Sequence, residues 1–81
     1  MRLGKVTGTV TATAKAEPLT GQKLLVVEAD GLGTVVAPDT VGAGVGDMVL
    51  LTQGSAARMA QGLSSAPVDL AIIAIVDHLN T

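Results

Sequence analysis

The sequence predicts an all-β protein: a small five-stranded OB-like barrel with one short helix before the last strand. Three observations carry that expectation. Residues 3–14 alternate with period 2, short apolar runs are separated by turns rich in glycine and proline, and the single stretch with helix-end chemistry is only about two turns long.

The alternation is the clearest element. Lys5, Thr7, Thr9, Thr11 and Thr13 fall on one face, and Gly4, Val6, Gly8, Val10, Ala12 and Ala14 on the other. β-branched threonines suit a pleated surface, while Gly4 and Gly8 on the apolar face predict a bend or a close backbone approach, as in a tightly curled sheet. Glu17-Pro18-Leu19-Thr20-Gly21 carries turn chemistry, and residues 23–28 read as a second strand around Leu24-Leu25-Val26-Val27. The short turn Asp30-Gly31-Leu32-Gly33 joins it in a hairpin to a third strand, residues 34–37. Pro38 is expected to stop that strand, because proline cannot donate to a ladder.

A glycine-rich loop, Gly42-Ala43-Gly44-Val45-Gly46-Asp47, leads into a fourth strand at residues 48–52. Gly54 and Gly62 then bracket residues 55–61, predicting a helix with Ser55 as N-cap and Gly62 as C-cap. A helix so short is unstable alone and must be docked. The last strand, residues 68–76, is apolar without interruption from Leu70 to Val76. A strand apolar on both faces is buried on both, so a neighbouring subunit is expected to cover the side turned away from the barrel.

With 81 residues the chain is expected to form one domain, residues 1–81. A domain this small buries only roughly 60% of its unfolded surface and usually needs disulfides, a metal or partner subunits. There is no cysteine and only one histidine, so self-association is the expected source of added stability. An apolar share of 48% against 15% charged residues leaves more apolar surface than one small domain hides. Aromatic residues are absent and the formal charge is -2, which removes the stacking platforms and basic groove of a nucleic-acid reader. Neither an apolar run of about 20 residues nor a secretory leader pattern is present, so a soluble, cytoplasmic protein without membrane contact is expected.

Chemistry is scarce. The glycine loop is followed by a strand and not a helix, lacks nucleotide-binding spacing, and carries Asp47, which would repel a phosphate. Ser55, Asp77 and His78 are triad residue types, but Gly54-Ser55-Ala56-Ala57 is not a nucleophile elbow. The carboxylates are scattered singly. No catalytic, cofactor-binding or metal site is therefore expected. Arg58 has two readings: decoration of an exposed helix face, or a contact with a carboxylate or carbonyls of a neighbour.

Taken together, Gly42-Ala43-Gly44-Val45-Gly46-Asp47 after Asp39 and Val41, Gly54-Ser55-Ala56-Ala57-Arg58, and Pro67-Val68-Asp69 running into Ile72-Ile73-Ala74-Ile75-Val76-Asp77 resemble the bacterial microcompartment vertex proteins of the EutN/CcmL type. Leu3-Gly4-Lys5-Val6-Thr7-Gly8-Thr9-Val10 and Gly21-Gln22-Lys23-Leu24-Leu25-Val26-Val27 fit as well, so the resemblance covers essentially the whole chain. Departures are Ala56 where a second serine is common, Ala74 where glycine is common, Pro38 at a position of small apolar residues, and a shorter turn at residues 30–33.

The resemblance implies a homopentamer that caps the fivefold corners of a polyhedral protein shell, with hexameric and trimeric shell proteins as partners. It further implies that Gly42, Ala43, Gly44, Val45, Gly46 and Asp47 contact neighbouring tiles. Ser55, Ala56 and Arg58, with Ile73 and Ile75 of the last strand, are expected at the subunit interface. The competing reading is a small OB-like ligand- or nucleic-acid-binding module, whose mark would be a monomer in solution.

Overall fold

The alternation of the N-terminal segment becomes strand β1 (Arg2–Thr9), with Gly4 and Val6 buried and Lys5, Thr7 and Thr9 exposed. This is a computed structural model, and it describes residues 1–12, 21–60 and 68–80. Strands β2 (Lys23–Ala29), β3 (Gly33–Asp39), β4 (Met48–Gln53) and β5 (Leu70–Ile75) follow, with a 3-10 helix (Gly54–Met59) between β4 and β5. They close into a barrel of order β1-β2-β3-β5-β4, with β4 returning to pair antiparallel with β1. The five-stranded OB-like barrel expected from the sequence is the fold observed.

Closure depends on β1 pairing on both sides. Gly4 faces Ala29 of β2 and Val49 of β4. A Cβ there would lie 2.6 Å from Val27 Cγ1 and 3.0 Å from the Glu28 carbonyl oxygen, which is the close approach the glycine predicted. Between Val6 and Gly8 the register with β2 slips, leaving Thr7 as a bulge that bends the strand around the barrel. β1 also ends sooner than residue 14, although the Val10 amide still donates to the Leu24 carbonyl at 2.9 Å. Residues 13 and 14, the turn residues 17–20, residue 61, Gly62 with its expected capping role, and Pro67 lie outside the described residues.

The hairpin turns where expected. Leu32 N donates to the Ala29 carbonyl at 3.0 Å, and Gly31 at φ 79 takes the left-handed position that a type II turn requires. β3, however, does not stop before Pro38 but continues through it to Asp39. On one side Pro38 pairs with Leu24; on the other, β3 meets β5 only at the single parallel pair Asp39 and Ile72. Up to Pro38 that side is an edge, so a missing N–H interrupts no ladder.

The core is wholly aliphatic: Val6, Leu25, Val27, Ala29, Ala37, Ala43, Val49, Leu51 and Ile72. A second, smaller cluster lies outside the barrel wall, where Ala57 of the 3-10 helix meets Ala71, with Ala60, Val68 and Ile73 around them. The helix expected over 55–61 is thus shorter and tighter than foreseen. A repeat of three residues per turn keeps Ala57 and Ala60 in line on one side, both in the cluster with Ala71 of β5. Gln53, not Ser55, occupies the N-cap position, and no side chain caps it. The segment is anchored instead by Gly54 N donating to the Asp69 carbonyl at 2.8 Å.

β5 bears a correction as well. Ala71 and Ile72 are both fully buried, one under the 3-10 helix and the other in the barrel core. Its two apolar faces are therefore covered in part within the subunit itself.

Candidate assembly surfaces

The glycine loop, residues 42–47, is a built structure. Its N-terminal foot is the end of β3, where Asp39 Oδ1 accepts from Val41 N at 3.0 Å and Thr40 donates through both N and Oγ1 to the Ile72 carbonyl. At the other end, Asp47 Oδ2 accepts from Gly44 N at 2.9 Å, Asp47 N donates to the Gly44 carbonyl, and Gly46 N and the Asp47 carbonyl bracket Val6 of β1. Asp47 is thus a lid on its own turn. Its carboxylate is aimed at a backbone amide of this chain.

Within the loop the residues divide sharply. Ala43 is fully buried and belongs to the barrel core, so its methyl group holds the loop down and cannot touch a partner. Gly42, Val45 and Gly46 are exposed, with Val45 64% exposed, while Gly44 and Asp47 are half-buried. Gly42 (φ 80) and Gly46 (φ 95) take left-handed backbone angles; Gly44 does not, and a Cβ there would meet nothing nearer than Asp47 Oδ2 at 4.0 Å.

Ser55, Ala56 and Arg58 are all exposed on the 3-10 helix, next to Met59, which is 87% exposed. Ile73 packs against the inner side of that helix. Ile75 does not join it. Leu50 pairs with Ala74 but Leu51 with Ile72, which leaves Ile73 as a bulge and reverses the alternation beyond it. Ile75 consequently shares the face of buried Val49 and lies 40% exposed at the barrel mouth. Period-2 counting along an unbroken apolar run gives no sign of such a bulge.

The two surfaces sit at opposite ends of β4, about 17 Å apart at the usual strand rise. The same spacing separates Ser55 from Asp77 and His78, which follow Val76, whose amide donates to the Met48 carbonyl at the far end of β4. The triad residue types are not assembled. Among the described residues no three histidine, cysteine or carboxylate side chains gather as metal ligands, and no helix is long and apolar enough to cross a membrane.

Sequence reasoning missed two polar anchors. Arg2 Nε donates to Gln53 Oε1 at 2.9 Å and its guanidinium reaches the Asp30 carbonyl, tying β1 to the ends of β4 and β2. Lys23 pairs with Asp39 at 3.5 Å and also donates to the Ala43 carbonyl. Both anchors join residues far apart in the chain, so only register could have suggested them.

Residues 1–77 match the family model described as ethanolamine utilisation protein EutN/carboxysome. The chain is 47% identical over 88 aligned positions to the bacterial microcompartment shell vertex protein GrpN of Rhodospirillum rubrum, covering all of this chain and 98% of that one. It is 46% identical to the carboxysome shell vertex protein CcmL of Synechococcus elongatus, covering 99% and 87% of the two chains. Among solved structures, CcmL of a Nostoc species superposes with a TM-score of 0.90 at 42% identity, over 98% of this chain and 92% of that one. GrpN from Rhodospirillum rubrum, described as a pentameric microcompartment shell protein, superposes at 0.87 and 46% identity, over 100% and 99%.

Proposed function

The chain belongs to the EutN/CcmL family of microcompartment and carboxysome shell vertex proteins, and from that premise we propose how its surfaces are used. It is a structural protein and not an enzyme: homopentamers of it cap the fivefold vertices of a polyhedral shell in the bacterial cytoplasm. The observation that carries this is the whole-length match, in sequence and in fold, to a pentameric shell protein. Residues 1–81 act as one domain, and the flat tiles it meets are hexameric and trimeric shell proteins. A sheet of six-sided tiles cannot close on itself, and five-sided units supply the missing curvature.

A ring of five needs a head-to-tail interface, in which each subunit offers two different patches. The 3-10 helix with Ser55, Ala56, Arg58 and Ile73 forms one. The mouth of the barrel at the exposed Ile75 forms the other. Tile contact falls to the exposed part of the glycine loop, Gly42, Val45 and Gly46, with Gly44 and Asp47 shaping it and Ala43 anchoring it from within. Support comes from the loop's rigid closure and from Val45, an apolar side chain held out in solvent on a short glycine-flanked turn.

Gly44→Val tests the tile assignment cleanly, because Gly44 has no left-handed angle and open space around it. The pentamer should stay intact by light scattering. Shells co-expressed with their hexamers should then lack corners in electron micrographs. Closed particles formed as efficiently as with the parent protein would remove the loop from the tile contact.

A further inference from the structure

We propose that Lys23 and Asp39 act together as a positioning pair that sets the shape of the glycine loop before any partner arrives, an inference that rests on the loop being the tile contact. The two residues face each other across β2 and β3 in register, with Nζ 3.5 Å from Oδ2. Their surroundings are unequal. The Asp39 side chain is 1% exposed and that of Lys23 is 50% exposed, so the lysine covers a carboxylate that would otherwise be buried with its charge unanswered.

Both partners then reach into the loop. Asp39 Oδ1 accepts from Val41 N at 3.0 Å, turning the chain at the end of β3, and the Lys23 ammonium donates to the carbonyl of Ala43. Ala43 is the residue that plugs the loop into the core, and its carbonyl immediately precedes Gly44. One cation therefore fixes the loop at two points, the carboxylate at its foot and the carbonyl beyond Gly42. Gly42 lies between them at φ 80 with nothing within 4 Å of where a Cβ would be, so no packing restrains it. Glycine is the residue with most conformational freedom to lose. Asp47 closes the far half of the loop on Gly44, but the half around Gly42 keeps one shape only if its foot is held as well, and partner binding is tighter when that ordering is done in advance.

The experiment compares the parent protein with Lys23→Met, which keeps an apolar stem and removes the charge, and with Lys23→Arg, which restores a donor cation. Amide hydrogen exchange is followed by NMR on the intact pentamer. In Lys23→Met the amides of Val41 and Gly44 should exchange at least about tenfold faster while those of Val27 and Leu51 in the barrel wall are unchanged, and Lys23→Arg should recover most of the protection. Unchanged exchange at Val41 and Gly44 in Lys23→Met would overturn the proposal. Loosened loop amides in a pentamer that still caps shells normally would leave the positioning pair standing and remove the tile contact instead.

Should Lys23→Met fail to fold, the parent protein gives the answer alone. The Lys23 ammonium should then show slowed proton exchange and a hydrogen-bond correlation to the Ala43 carbonyl. An ammonium averaging freely in water would overturn the pair.

Discussion

Single glycines divide the molecule into positions that are read from spacing and positions that are not. Gly4 belongs to the first kind: it falls on the apolar side of an alternating strand, and the fold uses it to bring β1 against Val27 and the Glu28 carbonyl. Gly4→Ala should destabilise the protein by about 1–3 kcal/mol, because one of the atoms in the way is backbone and cannot swing aside. A lowered urea midpoint is the measurement. The loop glycines are of the second kind. Gly42→Ala should cost about 1 kcal/mol, since φ 80 is costly for a side chain, whereas Gly44→Ala should be close to neutral. Denaturation of the two variants side by side checks the contrast, and equal losses would mean the loop's angles are not those observed. Three glycines in a row of six residues give no sign of which ones turn left-handed; that follows from where Asp39, Asp47 and Val6 hold the chain.

Among the elements, the 3-10 helix is where composition and context part. Serine after glycine before a run of small residues is good N-cap chemistry, and Gly62 made a plausible end. The helix nonetheless starts a residue early, uncapped, because Gly54 is bonded to Asp69 and Ala57 must sit on Ala71. Ser55→Ala should therefore shift stability by no more than about 0.5 kcal/mol, as for other exposed substitutions away from caps. Ala57→Leu should instead cost about 1–3 kcal/mol by overfilling the contact with β5. Thermal unfolding followed by circular dichroism separates them; a large loss in Ser55→Ala would restore the cap. The strands themselves were more legible, β1 by its alternation and the hairpin by its glycine turn. Pro38 misled only because edge status is a property of the assembled sheet.

For the whole molecule the governing fact is an excess of apolar surface. Val36, Val45, Met48, Met59, Ile75 and Leu79 are each at least 40% exposed in a single subunit. Ring formation hides part of such a surface, and stability should then depend on concentration by mass action. Arg58→Glu and Ile75→Asp lie on the two proposed halves of the ring contact, and each should lower the mass seen by light scattering from the pentamer toward the monomer at micromolar concentration. Their thermal midpoints should also rise with protein concentration more steeply than the parent's. Pentamers of unchanged mass in both variants would mean that the ring is closed through other surfaces.

The class of protein is legible from residue order alone. Period 2, glycine punctuation, the absence of aromatics, cysteine and clustered charge, and motifs in family order depend on residue type and spacing alone, and these are fully present in one dimension. Which residues do which work depends on how the strands meet. The bulge at Ile73 sends Ile75 to the other face, Ala43 turns inward as a plug, and Lys23 meets Asp39 and the Ala43 carbonyl. Each of these outcomes is set by the register between strands distant in the chain, and a shift of one residue in register exchanges the inside of a strand for its outside.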